Sequence, residues 1–128
     1  MTEKVALDIN VPYNHIAIKV KDLEASLRFY RDLLGLPVER RLDEPEIVWL
    51  PGVELSQLEE GKEFAFTGHI GLGVRNIEEI CAYLEEQGVE FDVPLKDIVW
   101  EQMGKGLKLA FFKDPDGLSV ELVQWRDL

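Results

Sequence analysis

The sequence predicts an α+β fold made from two copies of one βαβββ-type module. Three observations predict it. The chain repeats itself, once from His15 and again from His69. Each copy closes on an apolar strand, a Pro/Gly turn and a second strand carrying Val-Glu-Leu. Each also holds a helix-period run that starts at a polar residue and stops at a glycine.

The elements follow in order. HIAIKV alternates as a strand from His15, and Asp22 stands where a helix N-cap is expected. Leu23, Leu27, Tyr30 and Leu34 then recur at helical spacing, and Gly35 is placed to end the helix. After a further short strand comes IVWLPGVELSQL, residues 47–58, a hairpin turning at Pro51-Gly52. EEGKEFAFT, residues 59–67, links the copies. The second copy opens with HIGLGV, places Asn76 at the N-cap, spaces Ile77, Ile80, Cys81 and Leu84 along a helix, and stops at Gly88. An insert of roughly Pro94 to Gly106 precedes its closing hairpin, 110–125, which turns at Asp114-Pro115-Asp116-Gly117. The reading is one domain over residues 1–128, with module one at about 12–58 and module two at about 68–126.

Composition bounds the function. Of 128 residues, 46 % are hydrophobic and 30 % charged, as in globular domains, and no apolar run approaches the ~20 residues of a membrane span. The first residues lack a basic segment followed by an apolar one, so a cytoplasmic protein is expected. A net charge of −11 argues against nucleic acid and anionic membranes as partners. Cys81, the single cysteine, has no mate for an internal disulfide and reads as a small buried apolar residue.

The repeat sets His15 opposite His69 and Glu54 opposite Glu121. These are the only two histidines, and both glutamates sit in otherwise apolar strands. A carboxylate facing inward needs a cation or hydrogen bonds, because an unpaired buried charge is costly. A pseudo-two-fold axis would gather the equivalent residues at one point. Two imidazoles and two carboxylates suit one divalent ion, Ni²⁺, Zn²⁺, Co²⁺, Mn²⁺ or Fe²⁺. Four protein ligands on a six-coordinate ion leave two positions for water or substrate, as a catalytic site requires. Ser119, Glu121 and Val123 share one face of their strand. Trp49, Trp100, Met103 and Phe111 are candidate apolar pocket walls. Residues 97–106, with a Gly-Lys-Gly tip at Lys105, are a candidate lid. Lys105 and Lys108 are candidate local cations for an anionic substrate.

Three stretches carry a family resemblance: HIAIKVKDLEASLRFYRDLLGL, GHIGLGVRNIEE and LAFFKDPDGLSVEL. Through them the chain, from about Tyr13 to Trp125, resembles the vicinal oxygen chelate superfamily, which includes glyoxalase I, bleomycin-resistance proteins and extradiol dioxygenases. The resemblance implies a curved mixed sheet and is nearest to glyoxalase I (lactoylglutathione lyase). It maps the metal ligands onto His15, Glu54, His69 and Glu121. It implies a lyase or isomerase that moves a proton beside a metal-chelated carbonyl or enediolate, with Glu121 or Glu54 as the base. It further implies a small-molecule substrate and a homodimer, with swapped and unswapped pairing both open. Of the arginines that hold glutathione in that family, one position falls at Lys19 and another near Ala65, and an expected asparagine falls at Leu58. A different thiol is therefore admitted. The alternatives are a methylmalonyl-CoA epimerase-like enzyme, an extradiol-type dioxygenase, and a non-enzymatic binder of the bleomycin-resistance kind.

Overall fold

The computed structural model describes residues 3–63, 68–113, 115 and 117–128. The chain divides into two compact units, one of His15–His69 and one of Met1–Asn14 with Ile70–Leu128.

In the first unit the elements are β1 (His15–Val20), α1 (Leu23–Leu27), β2 (Arg40–Leu42), β3 (Ile47–Leu50) and β4 (Val53–Gln57). The strand order is β2-β3-β4-β1, with β1 parallel to β4 and the other pairs antiparallel. Alternation along the strands divides the sheet's faces. Val20, Val48, Leu50 and Leu55 pack with Leu23 and Leu27 of α1. His15, Ala17, Trp49 and Glu54 therefore lie on the opposite face.

The second unit repeats this plan. Its elements are β5 (His69–Gly73, of which His69 itself closes the first unit), α2 (Ile77–Glu86), β6 (Phe91–Trp100), β7 (Lys105–Lys113) and β8 (Ser119–Asp127). The order β6-β7-β8-β5 matches the first, with β5 parallel to β8. Ala110 and Leu122 pack under Ile77, Ile80 and Cys81 of α2. Leu107, Leu109 and Val123 form a separate cluster with Phe111, Trp100 and Trp125 on the other face, which is also the face of Glu121. The segment before residue 15 packs here, through Val5, Leu7 and Ile9. The Asn10 N–H donates to Gly73 O at 2.8 Å, and Gly73 is required, since a Cβ would lie 2.6 Å from Asn10 O and Tyr13 Cβ.

The expected boundaries hold at the glycines. Gly35 and Gly88 have φ of +80° and +89°, the left-handed region that ends a helix at little cost for glycine. Asp22 caps α1, accepting from the Ala25 N–H at 3.2 Å. Asn76 stands at the matching position but does not cap. Its side chain accepts from the Asp8 N–H and donates to Ala6 O, tying down the N-terminal segment.

Two expectations change. The first helix runs as an α-helix only to Leu27 and widens into a π-helix over Arg28–Leu33, where the Leu34 N–H donates to Phe29 O. The extra residue in the turn rotates the following side chains, so Leu34 is exposed and Leu36 packs instead. Residues 97–106 form no loop-like lid. Asp97, Ile98, Val99 and Trp100 pair with Lys108, Leu107, Gly106 and Lys105, leaving a tight turn through Glu101–Met103. No helix among the described residues is long and apolar enough to cross a membrane.

Candidate metal centre

His15 and His69 stand at the two ends of the first unit. Their Nε2 atoms are 3.2 Å apart, with the rings edge to face. Two neutral imidazole lone pairs do not approach so closely unless a proton or a cation sits between them. Glu54 Oε1 is 3.7 Å from His15 Nε2. Within this unit the two histidines thus come together, and Glu54 approaches His15.

The donor set fits a divalent ion. Metal–imidazole bonds of ~2.1 Å opened by about 100° would separate two nitrogens by the observed 3.2 Å. A carboxylate oxygen beside His15 supplies a hard anionic donor. The topology explains the approach of Glu54 to His15. Glu54 pairs in register with Ala17 on β1, and Ala17 shares a face with His15 two residues earlier. The fourth residue, Glu121, is 6 % exposed on β8 and registers with Phe111 on β7.

The other candidates sort by face. Trp49 is 2 % exposed, and its indole N–H donates to Glu54 Oε1 at 2.8 Å. Phe111 and Trp100 belong to the apolar cluster on Glu121's face, where Trp100 lies 5.9 Å from Trp125. Met103 is half-buried in the turn after β6. Lys105 is paired with Asp127, and Lys108 with Glu78 of α2 on the opposite face, away from Glu121. Lys108 is therefore no candidate for the site. Lys19 is exposed, 3.9 Å from Glu59. Leu58 is half-buried, its N–H bonded to Val20 O. Ala65, part of the linker 59–67, and both aspartates of the Asp114–Gly117 turn lie outside the described residues.

Sequence reasoning missed two residues, Gln57 and Gln124, which sit three positions after the two glutamates. Gln57 Oε1 accepts from the Leu23 N–H at 2.9 Å, and Gln124 Oε1 from the Ile77 N–H at 2.9 Å. Each side chain holds a helix N-terminus against the strand that carries the glutamate. The repeat itself was the available signal, since Gln57 and Gln124 align wherever Glu54 and Glu121 do.

Comparison with known proteins gives the family. Residues 13–122 match the family model of the Glyoxalase/Bleomycin resistance protein/Dioxygenase superfamily. The chain belongs to this superfamily. Within the superfamily, it is 32 % identical to a lactoylglutathione lyase of Schizosaccharomyces pombe, over 86 % of this chain but only 46 % of that longer protein. It is also 32 % identical to a probable lactoylglutathione lyase of Synechocystis, over 86 % of this chain and 92 % of the other. Among solved superfamily structures, a methylmalonyl-CoA epimerase of Streptomyces coelicolor matches with a TM-score of 0.68 and 21 % identity, covering 93 % of this chain and 98 % of that one. That likeness shows the fold: an α+β arrangement of the glyoxalase type, with mixed sheets.

Proposed function

We propose that this protein is a metal-dependent lyase or isomerase of the glyoxalase type, moving a proton between adjacent carbons beside a carbonyl. The single observation that carries the reading is the 3.2 Å approach of two imidazole nitrogens with a carboxylate at 3.7 Å. The relatives named lactoylglutathione lyase support it.

His15 and His69 would hold the ion through Nε2, with Glu54 beside His15; Glu121 is the fourth ligand that the sequence duplication nominates. When bound, a divalent ion would supply positive charge where the substrate oxygen becomes anionic. Glu54 has one oxygen committed to the Trp49 indole N–H. We therefore assign the proton transfer to Glu121. Its carboxylate is almost wholly buried beside Leu109, Phe111 and Val123, where few waters compete for the proton. It takes a proton from one carbon and returns it to the neighbouring one.

The substrate is a small thiol adduct of an α-ketoaldehyde, and a thiol other than glutathione is admitted. Lys19, where the family has an arginine, is a single ammonium beside Glu59 and cannot grip a carboxylate with a two-pronged fork. The test is to assay methylglyoxal with glutathione and with other low-molecular-weight thiols, alongside epimerisation of methylmalonyl-CoA. Turnover with a non-glutathione thiol is expected. Turnover of methylmalonyl-CoA alone would replace this reading with an epimerase, and turnover of none would remove the enzyme reading.

A further inference from the structure

Glu54 is not a free-standing ligand. Arg40, Trp49 and Glu54 lie in a row across β2, β3 and β4, each opposite the next in the strand register. The Trp49 indole N–H donates to Glu54 Oε1 at 2.8 Å, and the Arg40 guanidinium lies 5.3 Å above the indole ring. We propose that Trp49 is a positioning residue for the metal centre: its indole N–H fixes the Glu54 carboxylate beside His15, and so raises the affinity for a divalent ion. The proposal rests on the metal reading above.

Three arguments support it. First, a glutamate has three rotatable side-chain bonds, and freezing them when the metal binds costs affinity. A hydrogen bond already made in the metal-free chain removes much of that cost. Second, Trp49 is 2 % exposed, so its N–H must find an acceptor within the protein. Of all acceptors, it takes the oxygen that lies 3.7 Å from His15 Nε2. Third, a cation over the ring face draws electron density from the indole and makes its N–H a better donor to an anion. The row is built into one half of the duplication. The register position opposite Glu121 is Phe111, whose ring carries no N–H. The two glutamates are therefore treated differently by their own sheets, although the sequence repeats them.

Trp49→Phe keeps an aromatic ring and removes the donor. Zn²⁺ affinity, measured by competition with a chromophoric chelator, is expected to fall about 10- to 100-fold. The visible spectrum of the Co²⁺-loaded chain is expected to shift, which a loss of packing alone would not produce. His15→Ala, run in parallel, should abolish binding. Wild-type affinity and an unchanged Co²⁺ spectrum in Trp49→Phe would overturn the proposal, while loss in His15→Ala would leave the metal reading standing. A wild-type chain that binds no Zn²⁺ would overturn both. Should Trp49→Phe not fold, the wild-type chain gives the answer. It has three tryptophans, whose indole N–H resonances are assigned with Trp100→Phe and Trp125→Phe. Zn²⁺ must move the Trp49 resonance, and an unmoved resonance would overturn the proposal.

Discussion

Cys81 faces the core from α2, and burial pushes its thiol up from 9.0 to about 11. The sign of the consequence follows. Above pH 9 the unfolded chain loses the thiol proton, while the folded chain keeps it until about 11. Stability is therefore lost as pH rises through that window. Cys81→Ala removes the effect. Denaturant unfolding of both chains from about pH 8 to 11 should show the wild-type advantage shrinking with pH, and parallel curves would contradict the assigned burial. The same burial makes the thiol a poor nucleophile, in line with the inert role that the helical pattern suggested. Residue chemistry was legible elsewhere for a related reason. With only two histidines, both at one repeat position, the sequence could nominate His15 and His69 without coordinates. Trp49 was nominated as a pocket wall. Its bond to Glu54 was not legible, because it depends on which residues of β3 and β4 stand opposite each other.

The elements show how the site strands are braced. The Gln57 side chain accepts from the Leu23 N–H and donates to Lys21 O at 2.8 Å and Leu58 O at 3.2 Å. It ties the end of β4 to the start of α1, three residues beyond Glu54. Removing a partner from half-buried groups costs about 1–3 kcal/mol, and Gln57→Ala should lose that much unfolding free energy. Gln57→Glu keeps the acceptor and should recover part of the loss. A Gln57→Ala chain as stable as wild type would show that water replaces these bonds freely. The hairpins, N-caps and glycine stops were readable, since turn and cap preferences are local. The π-helix after Leu27 and the strand pairing of Asp97–Trp100 were not. Both are decided by contacts distant in sequence, with Leu36 packing in place of Leu34 and β6 gaining length by pairing with β7.

At the scale of the whole chain, the duplication was the most legible feature, and the two units bear it out with the same strand order. What the repeat could not show is where the first residues go. They carry no repeat signal, yet Val5, Leu7 and Ile9 cover part of the second unit's core, and the Arg75 side chain donates to Ile9 O and pairs with Asp8. The central proposal is that His15 and His69, with Glu54 beside His15, hold a divalent ion, and that Glu121 is the further ligand the repeat nominates. Metal content decides it. Elemental analysis of the chain purified without chelator should give about one divalent ion per chain, with most of it lost in His15→Ala and in Glu121→Ala. A wild-type chain without metal, or a His15→Ala chain that keeps a full complement, would contradict the account.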